Sequence, residues 1–210
     1  EHWRGLKLQA VGEPIPSPQH EALLRPYLER RVREFISGSD VSIVLRRDES
    51  PDRQVRSDRA IQMVLGMPIA VTRRPDGKPD AHEGRAVSAA HCGDLTLAVA
   101  GSKPVGCDLE PVEDRPPCVW RALLGDVRIE LAQLIGRRAR ENPVVSATRV
   151  WTATEALKKV GALTTAPLVF VSATADGWVS LSSGKFEVLT YATQLCGREG
   201  KFVIAVLSES

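Results

Sequence analysis

Two acidic residues lie two positions apart in an otherwise apolar segment. Asp108 and Glu110 belong to the segment Val-Gly-Cys-Asp-Leu-Glu at 105–110, which Pro111 follows. Its alternation predicts a β-strand with both carboxylates on one face, near an exposed strand end. Neighbouring carboxylates repel unless a cation or a basic group compensates them. The pair therefore indicates a cation site, and a solvated edge strand is the alternative.

A second segment places a carboxylate and an ammonium group one helical turn apart. Residues 150–159 read Val-Trp-Thr-Ala-Thr-Glu-Ala-Leu-Lys-Lys, which predicts a helix start with Trp151, Glu155 and Lys159 on one face. If the fold joins this helix to the acidic strand, three carboxylates converge beside a lysine, as suits a hard cation with a polyphosphate. The alternative is an ordinary helix start with a favourable glutamate and solvated lysines. Lys158 is expected to face solvent.

Basic residues surround a predicted turn earlier in the chain. Arg73, Arg74 and Lys78 flank the Pro-Asp-Gly turn at 75–77. Because a glycine turn lets backbone approach closely and the cations surround it, this pattern suits a phosphate group. A charged hairpin tip is the alternative. His91 lies between two predicted strands, where a hydrogen-bonded loop histidine is the simplest interpretation.

The predicted elements repeat along the chain. The sequence predicts helices over 21–36 and 58–65, with a short strand over 41–45 between them. Two units then follow the same order: a helix that ends at glycine, a strand that begins at proline, an Asp-Gly turn and an apolar strand. These features are Gly66, 68–71, 76–77 and 95–100 in the first unit, and Gly161, 167–171, 176–177 and 202–207 in the second, with Cys-Gly pairs before the last strands. The repeat predicts an α+β molecule whose similar halves, residues 21–105 and 106–210, are related by a pseudo-twofold axis with a ligand cleft between them. Chance recurrence of common turn signals is the alternative.

Composition and the first residues limit the class of protein. A formal charge of +2 indicates neither a nucleic-acid nor a membrane partner, and no apolar run approaches the ~20 residues of a membrane helix. Four cysteines without a C-x-x-C pair predict reduced thiols in a cytoplasmic protein.

Residues 1–20 combine a strand-like Leu6/Leu8 alternation with a proline-rich stretch, which predicts the remnant of a preceding domain and a stiff linker. An ordinary N-terminus is the alternative.

Four segments together resemble the Sfp-type 4′-phosphopantetheinyl transferases. Gly-Cys-Asp-Leu-Glu at 106–110 resembles that family's G-[VIC]-D-[IL]-E motif, and Trp-Thr-Ala-Thr-Glu-Ala-Leu-Lys-Lys at 151–159 resembles its W-x-x-K-E-[AS]-x-x-K motif. Upstream, residues 74–79 resemble its G-[KR]-P segment and residues 87–94 its S-H-S-G segment. The four matches follow the family's order.

The resemblance implies two similar halves with coenzyme A between them. It makes Asp108, Glu110 and Glu155 the ligands of Mg²⁺, and it makes Asp108, Glu155 and Lys159 the catalytic residues. Glu155 is then a candidate base for the attacking hydroxyl, and Lys159 would contact a phosphate. His91 would contact the 3′-phosphate of coenzyme A. The full set of implied coenzyme A contacts is Arg73, Lys78, Ala90, His91 and Lys159.

The sequence departs from the family's pattern at two places. Thr154 stands where the family has a lysine, which removes a cation from beside the acids and puts that lysine's proton-transfer role in doubt. Ala90 and Cys92 flank His91 where the family has two serines, whose contacts backbone amides could replace. With the predicted linker, these departures resemble the transferase domains at the C-termini of iterative polyketide synthases, notably of the enediyne type.

The activity that the resemblance implies is that of a holo-acyl-carrier-protein synthase, with an acyl carrier protein as partner. Carriers are acidic, so Arg137, Arg138 and Arg140, which follow a predicted helix over 127–135, are an expected docking surface. A solvated helix end is the alternative. Two other functions fit the same residues: a non-catalytic carrier-docking module of a synthase, and a magnesium-dependent phosphohydrolase.

Overall fold

The computed structural model describes residues 21–36, 40–163, 165–195 and 198–210. Its helices are α1 (Glu21–Phe35), α2 (Arg53–Leu65), α3 (Pro117–Ala139) and α4 (Pro143–Lys159). Its strands are β1 (Ser42–Arg47), β2 (Ala86–Cys92), β3 (Leu95–Gly101), β4 (Val105–Pro111), β5 (Val169–Ala173), β6 (Trp178–Ser183), β7 (Phe186–Thr193) and β8 (Phe202–Glu209). The predictions for residues 1–20 and for the Cys-Gly pair at 196–197 lie outside the described residues.

The strands form two antiparallel sheets, which confirms the predicted α+β class. One sheet has the order β1-β3-β2, and the other has the order β4-β8-β7-β6-β5. Strands β2 and β4 pack against each other where the sheets meet. The backbone amide of Cys107 on β4 donates to Ser88 Oγ on β2 at 3.3 Å. This junction carries both the predicted acidic strand and the predicted histidine.

Helix α4 is longer than predicted, and the expectation that it begins near Trp151 is wrong. It begins at Pro143, where the side chain of Asn142 accepts a hydrogen bond from the Val144 amide, so the start signal is Asn-Pro. Side chains on nearly all its sides are buried, because α3 covers one side and the second sheet covers the other. Glu155 therefore lies near the C-terminal end of the helix.

A buried arginine fixes helix α4 on the second sheet. The guanidinium of Arg149 donates to the carbonyls of Thr190 at 2.8 Å and Gly177 at 2.9 Å. It also pairs with Glu141 at 3.0 Å, before the helix starts. Because these partners belong to β7, the β5–β6 turn and the segment before α4, they hold the N-terminal half of the helix against the second sheet.

The first half lacks one of the predicted strands. Residues 68–71 form no strand in the structure. Ile69 and Val71 instead pack their side chains against the hydrophobic cluster of α2 without joining a sheet edge. The following turn has a single bridge, between Arg73 and Pro79. Helix α2 itself ends at Gly66 as predicted, but it begins earlier, after the capping residue Asp52.

Two expectations from composition concern cysteines and membranes. Cys92, Cys107 and Cys118 are free thiols, and burial raises the pKa of Cys107 to about 11. In the described ranges, no helix combines the length and the apolar character that crossing a membrane would require.

Candidate active site at the junction of the sheets

Lys159 connects the two sheets through its side chain. Its Nζ donates to the carbonyl oxygens of Ala89 on β2 at 3.1 Å and Cys107 on β4 at 2.7 Å. It also donates to Asp108 Oδ1 at 2.9 Å. Lys159 lies in the last turn of α4, where a cation interacts favourably with the helix dipole. The structure thus joins the predicted lysine to the predicted acidic strand.

A close approach at Gly106 brings α4 to the acidic strand. A Cβ atom at Gly106 would lie 2.6 Å from the backbone carbonyl oxygen of Ala156 on α4. That separation is too short for any other residue, so glycine allows the helix to lie directly on β4. The contact places the last turns of α4, with Glu155 and Lys159, beside Asp108.

Asp108 and Glu110 have raised pKa values, and neighbouring acids contribute to both shifts. Burial raises the pKa of Asp108, Lys159 opposes this shift, and Glu155 adds to it. Burial also raises the pKa of Glu110, with further increases from Asp108 and Glu155. Asp108 is only 8% exposed, so the expectation of an exposed strand end is wrong at this residue, because β2 packs against β4. The structure brings the three carboxylates into one neighbourhood.

Each of these carboxylates has its own hydrogen-bond donor. The pairs are Lys159 with Asp108 at 2.9 Å, Trp151 with Glu110 at 3.2 Å, and Lys158 with Glu155 at 2.5 Å. Lys158 is the more exposed of the two neighbouring lysines, at 38% against 24% for Lys159, as expected, although its side chain also folds back onto the glutamate one turn earlier. In the part of the chain that the structure describes, no three Asp, Glu, His or Cys side chains form a group that could hold a metal ion as they stand.

One carboxylate oxygen nevertheless fits a cation. Asp108 Oδ2 is buried and has no hydrogen-bond partner among the described residues. A buried polar atom without a partner costs free energy, which a bound cation would recover. Carboxylate oxygens are also the ligands that Mg²⁺ prefers. Asp108, with Glu110 and Glu155 beside it, is thus a chemically suitable place for a magnesium ion.

A basic cavity of about 690 Å³ opens next to Lys159. The N-terminal end of α2, the 73–81 turn, strand β2 and the end of α4 form its walls. Five basic side chains line it, namely Arg53, Arg73, Arg74, Lys78 and Lys159, against the two acids Asp76 and Asp80. This excess of positive charge favours a polyanionic ligand. Arg53 is the member that the sequence did not single out, since its place at the start of α2 has no signal of its own.

Lys78 and Arg73 lie on the turn that closes this cavity. Lys78 Nζ donates to the carbonyl oxygen of Lys158 at 3.2 Å, which ties the turn to the end of α4. Arg73 pairs with Asp58 on α2 and donates to the Gly77 carbonyl at 3.2 Å. Both predicted cations therefore line the cavity, and both are held by contacts within the protein.

His91 lines the same cavity, whereas Ala90 does not. His91 Nδ1 shares a hydrogen bond of 3.0 Å with Thr96 Oγ1. Burial, followed by the charges of nearby cations with Arg56 first among them, lowers the pKa of His91 to about 4, so its ring is neutral at pH 7. Ala90 is 3% exposed and packs its side chain into the core, so only its backbone is available for the contact that the resemblance implies.

A second cavity, of about 630 Å³, lies between α3 and α4. It has an apolar floor that includes Trp120 and Ile129, and a rim that carries Arg115, Arg121 and Arg137. Arg115 is close enough to Glu110 to oppose the rise in the pKa of that carboxyl. Arg115 therefore lines the second cavity and also lies near Glu110.

The predicted carrier-docking arginines lie at the end of α3. Arg137 lines the second cavity and Arg138 is exposed in the same last turn. Arg140 follows the helix in a left-handed conformation, and its amide donates to the Gly136 carbonyl. Helix α3 is longer than the predicted 127–135 and has a kink at Gly125.

No protein-family model matches the chain, and no curated protein matches it at a significant level. The resemblance to the Sfp-type transferases consequently rests on the four motifs. Those motifs correspond to β4, the end of α4, the turn before β2, and β2 with the turn that follows it.

Proposed function

We propose that this chain is a magnesium-dependent 4′-phosphopantetheinyl transferase that acts in the cytoplasm on an acyl carrier protein of a polyketide synthase. The observation that carries this proposal is the position of Lys159, which bonds to Asp108 and also lines the basic cavity. One end of a polyanion bound in that cavity would therefore lie close to the acidic residues Asp108, Glu110 and Glu155. This is the arrangement that a phosphoryl-transfer enzyme with a phosphate-rich substrate requires.

Coenzyme A is the ligand that we assign to the basic cavity. Its 3′-phosphate and pyrophosphate match the basic side chains of the wall, and neutral His91 can hydrogen-bond a phosphate. The cavity takes walls from both predicted halves, because Arg53 and His91 precede residue 106 while Lys159 follows it. This supports a cleft between two related halves.

Mg²⁺ would be held by Asp108, Glu110 and Glu155, and it would supply positive charge to the pyrophosphate. The carrier serine Oγ attacks the phosphorus that bears pantetheine, and the bond from that phosphorus to the bridging oxygen breaks. The serine proton passes to Glu155 or to a water beside it. The leaving group is 3′,5′-ADP, and Lys159 stabilises the charge on its phosphate.

The test is incubation of the chain with coenzyme A, Mg²⁺ and an apo carrier protein, followed by intact-mass measurement. We expect the carrier to gain one phosphopantetheine arm and 3′,5′-ADP to appear. Carrier binding without a mass gain would favour a docking module. Cleavage of coenzyme A without carrier modification would favour a phosphohydrolase.

The nucleotide end of the cavity gives a prediction about coenzyme A binding. His91→Ala and Lys78→Ala are each expected to weaken coenzyme A binding about tenfold, the order of one charge-assisted hydrogen bond. Binding of dephospho-coenzyme A should weaken less, because the proposed partner of these residues is the 3′-phosphate. Titration calorimetry with both ligands measures the difference.

His82→Ala is the matched control, because His82 lies in the same region of the chain but does not line the cavity. Its affinity for both ligands should equal that of the wild type. If the His91 and Lys78 variants lost equal affinity for both ligands, these residues would not be contacts of the 3′-phosphate.

The rim of the second cavity gives a prediction about the carrier. Arg137→Glu/Arg138→Glu is expected to raise the apparent KM for an acidic carrier several-fold while the KM for coenzyme A stays unchanged. The effect should shrink at high salt, because exposed charges are screened over about 8–10 Å at physiological ionic strength. Steady-state kinetics at low and high salt measure it.

Arg30→Glu/Arg33→Glu, on the exposed face of α1, makes the same change in net charge elsewhere and serves as the control. If both double variants raise the KM for the carrier equally, the effect belongs to overall charge. If the KM for the carrier were unchanged at low salt in Arg137→Glu/Arg138→Glu, these arginines would only be solvated residues at the end of a helix.

A further inference from the structure

Lys158 pairs with one of the three acids and lies over an indole ring that bonds to another. Its Nζ donates to Glu155 Oε1 at 2.5 Å and lies 5.1 Å from the centre of the Trp151 ring. The indole nitrogen of Trp151 in turn donates to Glu110 Oε1 at 3.2 Å. One ammonium group thus pairs with Glu155 and contacts the face of the indole that bonds to Glu110.

The position that lacks the family's lysine cannot supply this charge. Thr154 is 2% exposed, and its hydroxyl donates to the Val150 carbonyl within α4 at 2.8 Å. Its hydroxyl is therefore bonded within the helix, and it carries no charge. The cation beside Glu155 comes instead from Lys158, three residues further along the helix.

The two lysines at the end of α4 are held very differently. The ammonium of Lys159 has three oxygen acceptors, two of them backbone carbonyls. In the described part of the chain, the ammonium of Lys158 has Glu155 as its one hydrogen-bond acceptor, and its side chain is 38% exposed. Lys159 is consequently fixed, whereas Lys158 can move into solvent without breaking backbone contacts.

We infer that Lys158 is a positioning residue that neutralises Glu155 in the ion-free protein and competes with a divalent cation for that carboxylate. A +1 ammonium and a +2 ion repel each other when they share one carboxylate, so ion binding requires Lys158 to leave. The inference deepens the proposed function and rests on its assignment of Glu155 as a metal ligand.

The test measures Mn²⁺ binding to the whole chain without coenzyme A, by electron paramagnetic resonance of free Mn²⁺. Lys158→Met keeps the length of the side chain and removes its charge. It should bind Mn²⁺ about fivefold more tightly, the order of one screened interaction between neighbouring charges. Lys158→Arg should restore the wild-type affinity. Lys185→Met removes a lysine that pairs with Glu209, away from the site, and should also bind as the wild type does.

Thermal unfolding of each variant checks that the fold is retained. Unchanged or weaker Mn²⁺ binding by Lys158→Met would overturn the inference, and so would the absence of Mn²⁺ binding in both the wild type and this variant. In either case the carrier mass assay on the wild type decides separately whether the proposed function stands.

Discussion

Asp108→Asn is expected to lower the rate of phosphopantetheine transfer by about 10³-fold or more, the order of loss when an electrostatic stabiliser of a transition state is removed. Asp108 is the most buried of the three acids, and its Oδ2 has no partner within the described residues. The amide keeps the shape of the side chain but removes the charge that would hold a cation. Intact-mass time courses at saturating coenzyme A and Mg²⁺ measure the rate.

The fold should survive this change, because Lys159 keeps its bonds to the carbonyls of Ala89 and Cys107. Circular dichroism and thermal unfolding check this. Glu155→Ala should be equally inactive, and Glu110→Ala should be impaired less. Glu49→Gln, an exposed carboxylate-to-amide change outside the site, is the control and should be fully active. Full activity in Asp108→Asn would place the metal and the chemistry elsewhere.

Sequence patterns correctly predict features that depend only on the geometry of a single strand or helix. The alternation at 105–110 correctly predicted β4, because side chains on any strand alternate between its two faces. The four-residue spacing of Glu155 and Lys159 correctly put them on one face, because it holds anywhere along a helix. Neither pattern depends on which other elements pack nearby.

The errors arise where tertiary packing decides. Helix α4 is buried on nearly all sides, so the polar and apolar periodicity that marks a surface helix gives no indication of its start. The apolar residues at 68–71 were predicted as a strand, yet they pack on α2 without backbone pairing. Apolar content alone does not distinguish a strand from a coil that packs some of its side chains on a neighbouring element, because both remove apolar side chains from water.

The sequence indicates the acidic and basic residues of the candidate site, but it does not indicate the residues that contact them. Nothing in the sequence indicates that β2 packs on β4, although this contact buries Asp108 and gives Lys159 one of its acceptors. The Lys158–Glu155 pair did have a signal, since a spacing of three residues on a helix permits an ion pair. Arg115 had none, because only the fold brings it near Glu110.

Gly106→Ala is expected to destabilise the protein by about 2 kcal/mol or more and to abolish transfer, because it inserts a methyl group where no space exists. The added carbon would lie 2.6 Å from the Ala156 carbonyl oxygen. That oxygen belongs to the helix backbone and cannot rotate away, so α4 must move from β4. The movement would separate Lys159 and Glu155 from Asp108. Urea unfolding measures the loss of stability, and the carrier mass assay measures the loss of transfer.

Gly136→Ala is the matched control for this prediction. Its added carbon would lie 3.2 Å from Ser146 Oγ, a side-chain atom and not backbone, and alanine is favoured over glycine within a helix by about 1 kcal/mol. We therefore expect wild-type stability or slightly more, with transfer intact. If Gly106→Ala matched this control in both assays, the close contact of α4 with β4 would not be what positions the acids. If Gly106→Ala unfolded at the same urea concentration as the wild type but lost transfer, the close contact would be needed for the geometry of the site and not for stability.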